Sequence, residues 1–284
     1  MNRISWRRTC CGTLELLALM LSWLMISPAY SQNEPNPLKG RVATLAFFLE
    51  TTDTLEPHTV WIGTGLTYRR SPDGRERDIP TLFLSYGVHR RVEIDFSIPY
   101  FFSEYDPKFQ MNGIGDRFLS AKIQLLNPDN HWIGLAFDPT LEILGKSSLA
   151  AGPLGPQKYN FALPLILQKN FSRFNLYAEG GYITRGAKFY GFGGDGAIYK
   201  RLGLAANLLY SRATRFNELS LQYGLLQSRW DAILGLYYVF NPRVSVFTSA
   251  GRTISAMDVN GTQYIINAGI NVNFNLRQLL RREK

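Results

Sequence analysis

The stretch Val92-Glu93-Ile94-Asp95-Phe96-Ser97-Ile98-Pro99-Tyr100 changes character at every second residue. Val92, Ile94, Phe96, Ile98 and Tyr100 fall on one face and Glu93, Asp95, Ser97 and Pro99 on the other, because successive side chains of an extended strand point to opposite sides. Residues 263–274 repeat the pattern, with Tyr264, Ile266, Ala268, Ile270, Val272 and Phe274 opposing Gln263, Asn267, Gly269, Asn271 and Asn273, and only Ile265 out of phase. In residues 131–143, Ile133, Leu135, Phe137, Leu141 and Ile143 oppose Gly134, Ala136, Asp138, Thr140 and Glu142. Each stretch is about 9 to 13 residues long, the length of a tilted strand crossing a bilayer. A soluble sandwich also alternates, but its strands usually run about 5 to 6 residues. Here the polar face is small and nearly neutral, with a few carboxylates, which suits a barrel interior, while the apolar face suits lipid.

Composition excludes the other classes. Of 284 residues, 45% are hydrophobic, 13% aromatic and only 19% charged, which is incompatible with a disordered chain. Mean hydropathy is −0.11, and beyond the first thirty residues no apolar run approaches the ~18 to 20 residues of a membrane helix. Aromatics near the segment ends (Trp61, Tyr68, Tyr86, Tyr100, Phe101, Trp132, Tyr159, Phe171, Trp230 and Phe240) read as interfacial girdles.

The periodicity therefore predicts an all-β, antiparallel transmembrane β-barrel of the bacterial outer-membrane type, spanning residues 58–274. Strands are expected near 58–69, 78–86, 92–102, 115–126, 131–144, 159–168, 174–184, 190–200, 202–212, 229–240, 243–254 and 262–274. That makes twelve, an even number as single-chain bacterial barrels require. Residues 42–50 and 217–227 also alternate and would raise the count to fourteen. Short connections at 87–91, 127–130, 169–173, 200–201 and 241–243 alternate with longer ones at 70–77, 103–114, 145–158, 185–189, 213–228 and 255–261. Short turns belong on the periplasmic side and long loops outside.

The first residues carry an address. Arg3, Arg7 and Arg8, then the apolar run from Leu16 to Ile26, then Ala29-Tyr30-Ser31 give the order of a Sec signal peptide over residues 1–31, cleaved before Gln32. Cys10 and Cys11 both lie within it, so the exported chain has no thiol or disulfide chemistry. Cleavage removes three Arg and one Glu, taking the formal charge from +9 to +7. The remaining base gathers in turns (Arg69, Arg70, Arg75, Arg77, Arg90, Arg91) and in a basic periplasmic tail over 275–284 (Arg277, Arg281, Arg282, Lys284). Outer-membrane lipids are the partner that pattern fits; nucleic acid is not.

Tyr86-Gly87-Val88-His89-Arg90-Arg91-Val92-Glu93-Ile94, continuing to Ile98-Pro99-Tyr100, resembles the glycine turn, basic pair and amphipathic strand of the outer-membrane family linked to the meta-pathway of phenol degradation. Gly113-Ile114-Gly115-Asp116, with Lys122 beyond it, is similar to that family's glycine-aspartate strand start, and residues 54–57 are compatible with its N-terminal signature. The resemblance covers residues 50–274 in layout but only two short motifs in sequence. It implies a twelve-stranded barrel that passes or binds small, often hydrophobic molecules. The departure is at the end, where Phe274, the expected terminal aromatic for the assembly machinery, is followed by residues 275–284.

The inward positions carry Glu93, Asp95, Asp116, Lys122, Asp138, Glu142, Glu179, Asp195 and Asp231 as pore-lining candidates. Carboxylates in a narrow lumen must be paired, so these either form a structural network that props or plugs the barrel or act as a cation-leaning filter. The rival class is an outer-membrane hydrolase, which needs a nucleophile beside a histidine. His58, His89 and His131 fall at predicted periplasmic ends, and none has a serine two residues on. No metal-ligand spacing and no phosphate loop is present, since Gly191, Gly193, Gly194 and Gly196 precede no helix and read as a strand with close backbone approach. A structural barrel without transport is the third class. Residues 32–57 are a periplasmic or lumen segment, too short for the plug of an energised transporter but able to thread the barrel. The expectation is a monomeric passive channel or uptake protein for small, hydrophobic or aromatic molecules, with no cofactor and no catalysis.

Overall fold

In the computed structural model, residues 49–106, 109–145, 158–184, 186–216, 218, 226–255, 257 and 261–276 are described. The expected signal peptide, the expected basic tail beyond Leu276 and most of both candidate extra strands (42–48 of the first; 217 and 219–225 of the second) lie outside them.

The strands are β1 (Thr59–Arg70), β2 (Arg75–His89), β3 (Val92–Asp106), β4 (Phe109–Ile114), β5 (Arg117–Leu126), β6 (Gly134–Phe137), β7 (Thr140–Ile143), β8 (Tyr159–Asn170), β9 (Phe174–Ile183), β10 (Ala187–Tyr199), β11 (Leu202–Ala213), β12 (Ser228–Asn241), β13 (Val244–Thr253) and β14 (Tyr264–Asn275). Each hydrogen-bonds antiparallel to its neighbours, and β14 returns to β1 along its whole length, from Thr59↔Asn275 to Arg70↔Tyr264. The sheet closes into a ring of twelve strands through the β1–β14 pairing. Two short strands stand outside that count. β4 continues the line of β5 along β3, and β7 continues the line of β6 between β5 and β8.

Both interruptions have local causes. The stretch expected as one strand over 131–144 breaks between β6 and β7 at Asp138-Pro139, since a proline has no N–H to give the ladder. The Pro139 carbonyl still accepts from Ala121 N at 3.3 Å, so the phase of the two pieces is preserved. Between β4 and β5 the chain passes Gly113, at φ 149°, and Gly115, where a Cβ would sit 2.8 Å from the Pro99 ring.

The short turns fall where the sequence placed them. Lys200-Arg201 turns with Lys200 at φ 42°, and Asn241 closes its turn by accepting the amides of Arg243 (2.8 Å) and Val244 (3.0 Å) at its side-chain oxygen. At the opposite end, three connections expected to be long are tight, because strands run further than expected. Ser71 to Gly74 closes β1–β2, residues 107–108 separate β3 from β4, and residues 184–186 separate β9 from β10.

The outward face is apolar along every wall, with Ile62, Leu84, Ile94, Leu119, Leu163, Leu176, Leu234 and Ile270 all exposed. Tyr68 stacks on Tyr264, Phe171 on Phe174, and Tyr238 meets Phe240 edge-on near strand ends. Two residues read as girdle aromatics do not belong to it. Trp61, opposite Ser85 and Asn273, and Phe101, beside the glycines 113 and 115, fall in the inward phase and are buried. Ile265 is inward too, packed with Ala205, Ile233, Tyr237, Val239 and Phe247. The lumen therefore has an apolar wall on β11–β14 facing a charged one on β3–β9.

Candidate functional site

Before β1, residues 49–57 run inside the ring. Leu49, Thr51, Thr52 and Leu55 are buried. The extended backbone has unpaired amides and carbonyls, and inward side chains of the charged wall satisfy them. Glu50 N donates to Glu179 Oε2 (2.9 Å), and Leu55 N donates to Glu93 Oε2. Thr52 donates through both its amide (2.7 Å) and its hydroxyl (3.1 Å) to Gln168 Oε1, while Gln124 Nε2 donates to the Thr52 carbonyl (3.0 Å). Gln168 Nε2 also reaches Asp53 Oδ2 at 3.1 Å. This strap crosses the inner wall from β9–β10 to β2–β3 and leaves through His58 N, which donates to the Gly87 carbonyl (2.8 Å). Both ends of the strap lie close against a glycine, and at Gly87 the neighbour is rigid backbone. A Cβ on Gly191 would lie 2.1 Å from Leu49 Cδ2, and one on Gly87 would lie 2.2 Å from the Glu56 carbonyl oxygen. Of the β10 glycines read as a close backbone approach, Gly191 meets the strap, through the Leu49 side chain, whereas a Cβ on Gly193 would meet Asn207 Oδ1 and Tyr177, and those on Gly194 and Gly196 the backbone oxygens of Asn175 and Arg173.

At the centre stands Lys122, 2% exposed on the inward face of β5, with its Nζ 3.1 Å from Glu50 Oε2 and 3.7 Å from Glu93 Oε1. Asp95 and Asp138 lie close enough to act on the same ammonium, and Ser120 Oγ donates to Asp95 Oδ2 at 3.5 Å. One buried cation thus faces four carboxylates, with Glu179 at the far end of the strap. Burial pushes the Glu50 carboxyl up from 4.5 to about 7, against the pull of Lys122 and with Asp138 and Asp95 adding to the rise. Glu50 belongs to the strap and not to a strand.

Of the sequence-derived candidates, Glu93, Asp95, Lys122, Asp138 and Glu179 come together here. The other four do not. Asp116 stays apart from Lys122 and accepts the Gly145 amide at 2.6 Å in the break between β4 and β5. Glu142 accepts from Asn160 Nδ2 (2.7 Å), and Asp231 pairs with Arg229 (2.9 Å) and Thr253 Oγ1 (2.6 Å), all towards the long-loop end. Asp195, on β10, faces Asn175 and accepts the Tyr237 hydroxyl at 3.3 Å. Sequence reasoning missed Glu50, Gln124 and Gln168. The glutamines carried a usable signal, since both fall in the inward phase of apolar-out strands; Glu50 precedes the first strand and no period reaches it. The histidines sit at the short-turn end, with His58 Nδ1 3.4 Å from the Tyr86 hydroxyl. Among the described residues, no group of three or more His, Cys, Asp or Glu side chains is arranged to hold a metal ion.

No family model and no curated protein matches this chain. Solved structures do. An outer-membrane channel from Pseudomonas putida F1 superposes with a TM-score of 0.60 at 13% identity, covering 78% of this chain and 98% of that one. The NanC porin gives 0.54 at 9% identity, covering 74% and 98%, and the KdgM porin 0.50 at 11%, covering 75% and 99%. At such identities the likeness establishes the fold, a closed twelve-stranded antiparallel barrel.

Proposed function

We propose that this chain is a passive, monomeric channel or uptake protein of the outer membrane that admits small, hydrophobic or aromatic molecules. The observation that carries the reading is the closed ring itself. Its outer surface is apolar with aromatics near the strand ends, and its inner surface carries the polar and charged side chains. The three solved structures compared above are a channel and two porins, which supports transport over catalysis. The aromatic class of permeant rests on the motif resemblance around Tyr86–Tyr100 and Gly113–Asp116, and the apolar wall of Ile233, Tyr237, Val239, Phe247 and Ile265 is chemically suited to it. In this reading Glu93, Asp95, Asp116, Lys122, Asp138, Glu142, Glu179, Asp195 and Asp231 line the permeation route. The short turns face the periplasm, and the β14 end at Phe274 is presented to the assembly machinery.

Liposome swelling with a panel of sugars and aromatic acids, alongside single-channel recording of the refolded barrel, tests this. Stepwise conductance with faster entry of the aromatic solutes is expected, without lipase or protease activity. A folded barrel that conducts nothing and admits no solute refutes it.

A further inference from the structure

On the outward face, β10 to β13 present their side chains in level rows fixed by the register. Tyr190, Tyr210 and Trp230 form an aromatic row towards the long-loop end, the two tyrosines stacked at 6.4 Å between centroids and Tyr210 meeting Trp230 at 4.8 Å. The next row towards the middle is Phe192, Leu208, Ala232 and Arg252, and the one after it includes Ala206, Leu234 and Ala250. Three alanines between large neighbours leave a groove of about 580 Å³, walled by Phe192 and Leu234, each more than half exposed.

Arg252 rims this groove on the lipid-facing side, inside the aromatic row. Arg252 is the last residue but one of β13, at the strand end where a lipid-facing cation meets anionic headgroups. Its Nε reaches only the neighbouring Thr253 carbonyl, at 3.3 Å. Among the described residues, the outward face of β10–β13 holds no carboxylate, because Asp195 and Asp231 both point inward. It holds two more cations, Lys188 and Arg212, direct cross-strand partners above the aromatic row. The geometry points to a binding site for one acylated, phosphorylated glycolipid of the lipid A class, an acyl chain in the alanine groove and its phosphates on Arg252, Arg212 and Lys188. The site rests on the outer-membrane reading, which places the long-loop end in the leaflet where such a lipid resides. The groove takes a chain because Ala206, Ala232 and Ala250 leave it open beside Phe192 and Leu234, and the phosphates take the charge that no described carboxylate on this face neutralises.

The mature barrel in detergent micelles, verified as folded by heat-modifiable migration, is mixed with purified bisphosphorylated lipid A, with its dephosphorylated form, or with dioleoyl phosphatidylglycerol, and bound lipid is counted by native mass spectrometry. Lipid A is expected to be retained, and retention to fall about tenfold for Arg252→Ala, for Ala232→Phe and on dephosphorylation, with Arg252→Lys partly restoring it. Phosphatidylglycerol retained as well as lipid A overturns the assignment, as does equal retention by wild type and both variants. Where Arg252→Ala does not fold, Ala232→Phe, which only fills the groove, decides alone. A folded, conducting barrel that retains no lipid A removes this site and leaves the channel reading standing; a chain giving no folded barrel removes the channel reading first.

Discussion

Replacing Lys122 by methionine keeps most of the side-chain volume and removes the only described cation among Glu50, Glu93, Asp95 and Asp138. At 3.1 and 3.7 Å, each ion pair has a Coulomb attraction of roughly 4 to 5 kcal/mol at an effective dielectric of about 20. Desolvation offsets much of it, and measured losses on breaking a buried pair are about 3 to 5 kcal/mol because the partner is left buried and uncompensated. The loss acts on the docked strap, since Glu50 belongs to it and Glu93 holds the Leu55 amide. Three kcal/mol corresponds to roughly a hundredfold shift towards the undocked state. The chain offers a clean reporter, because its only cysteines, Cys10 and Cys11, lie in the signal-peptide stretch. A Thr51→Cys variant, buried in the docked strap, is expected to react slowly with a water-soluble maleimide and about a hundredfold faster in the Lys122→Met background. Equal rates in the two backgrounds would refute the claim that this cluster holds the strap.

Three other outcomes follow from the same contacts. Gly87→Ala pushes a methyl into the Glu56 carbonyl, rigid backbone, whereas Gly191→Ala meets the rotatable end of Leu49; the first should cost about 1 to 3 kcal/mol in urea titration and the second distinctly less. The Glu50 carboxyl is held near 7 when docked and near 4.5 when free, so docking takes up a proton between those values, and the strap tightens as pH falls through that window and loosens above it. Lys122, Asp138, Asp95 and Glu179 all face that carboxyl, so the assay compares wild type with Glu50→Gln: open probability in planar bilayers should drop on acidification in the first and change less in the second. Finally, Asp95→Asn combined with Asp138→Asn should move the zero-current potential in a salt gradient towards anion preference, and an unchanged potential would remove these two acids from the selectivity-determining set.

The fold was legible because lipid imposes one rule on every strand. Ile94, Phe96 and Ile98 must face outward whatever the lumen contains, so a period of two survives from β1 to β14 and fixes both strand count and phase. The same rule explains what was not legible. Position near a segment end suggests a girdle for any aromatic, so Trp61 and Phe101 read as girdle although the alternation puts Phe101 in phase with Glu93, Asp95 and Ser97, and the register places the first opposite Ser85 and the second beside glycines. A period also carries no information about which inward residues meet. Asp116 and Lys122 are six positions apart on one line of chain, yet the break at Gly115-Asp116 sends the first to the Gly145 amide and leaves the second to a different set of acids.

The least legible part is the strap, and its dependence on the wall is mutual. Glu179 and Glu93, inward on β9 and β3, each accept a strap amide, and Gln168 accepts two donors from Thr52. Without the strap, these groups would turn to water or to one another, and four carboxylates around Lys122 would become three with no backbone amides to stabilise them. Without the wall, this nine-residue segment, 49–57, has no partner for its own amides. The acidic excess of the lumen in a chain of formal charge +9 is therefore no accident of composition. It is complementary to the exposed N–H groups of a peptide laid along the wall, and any solute passing on that side must displace or slide past this segment.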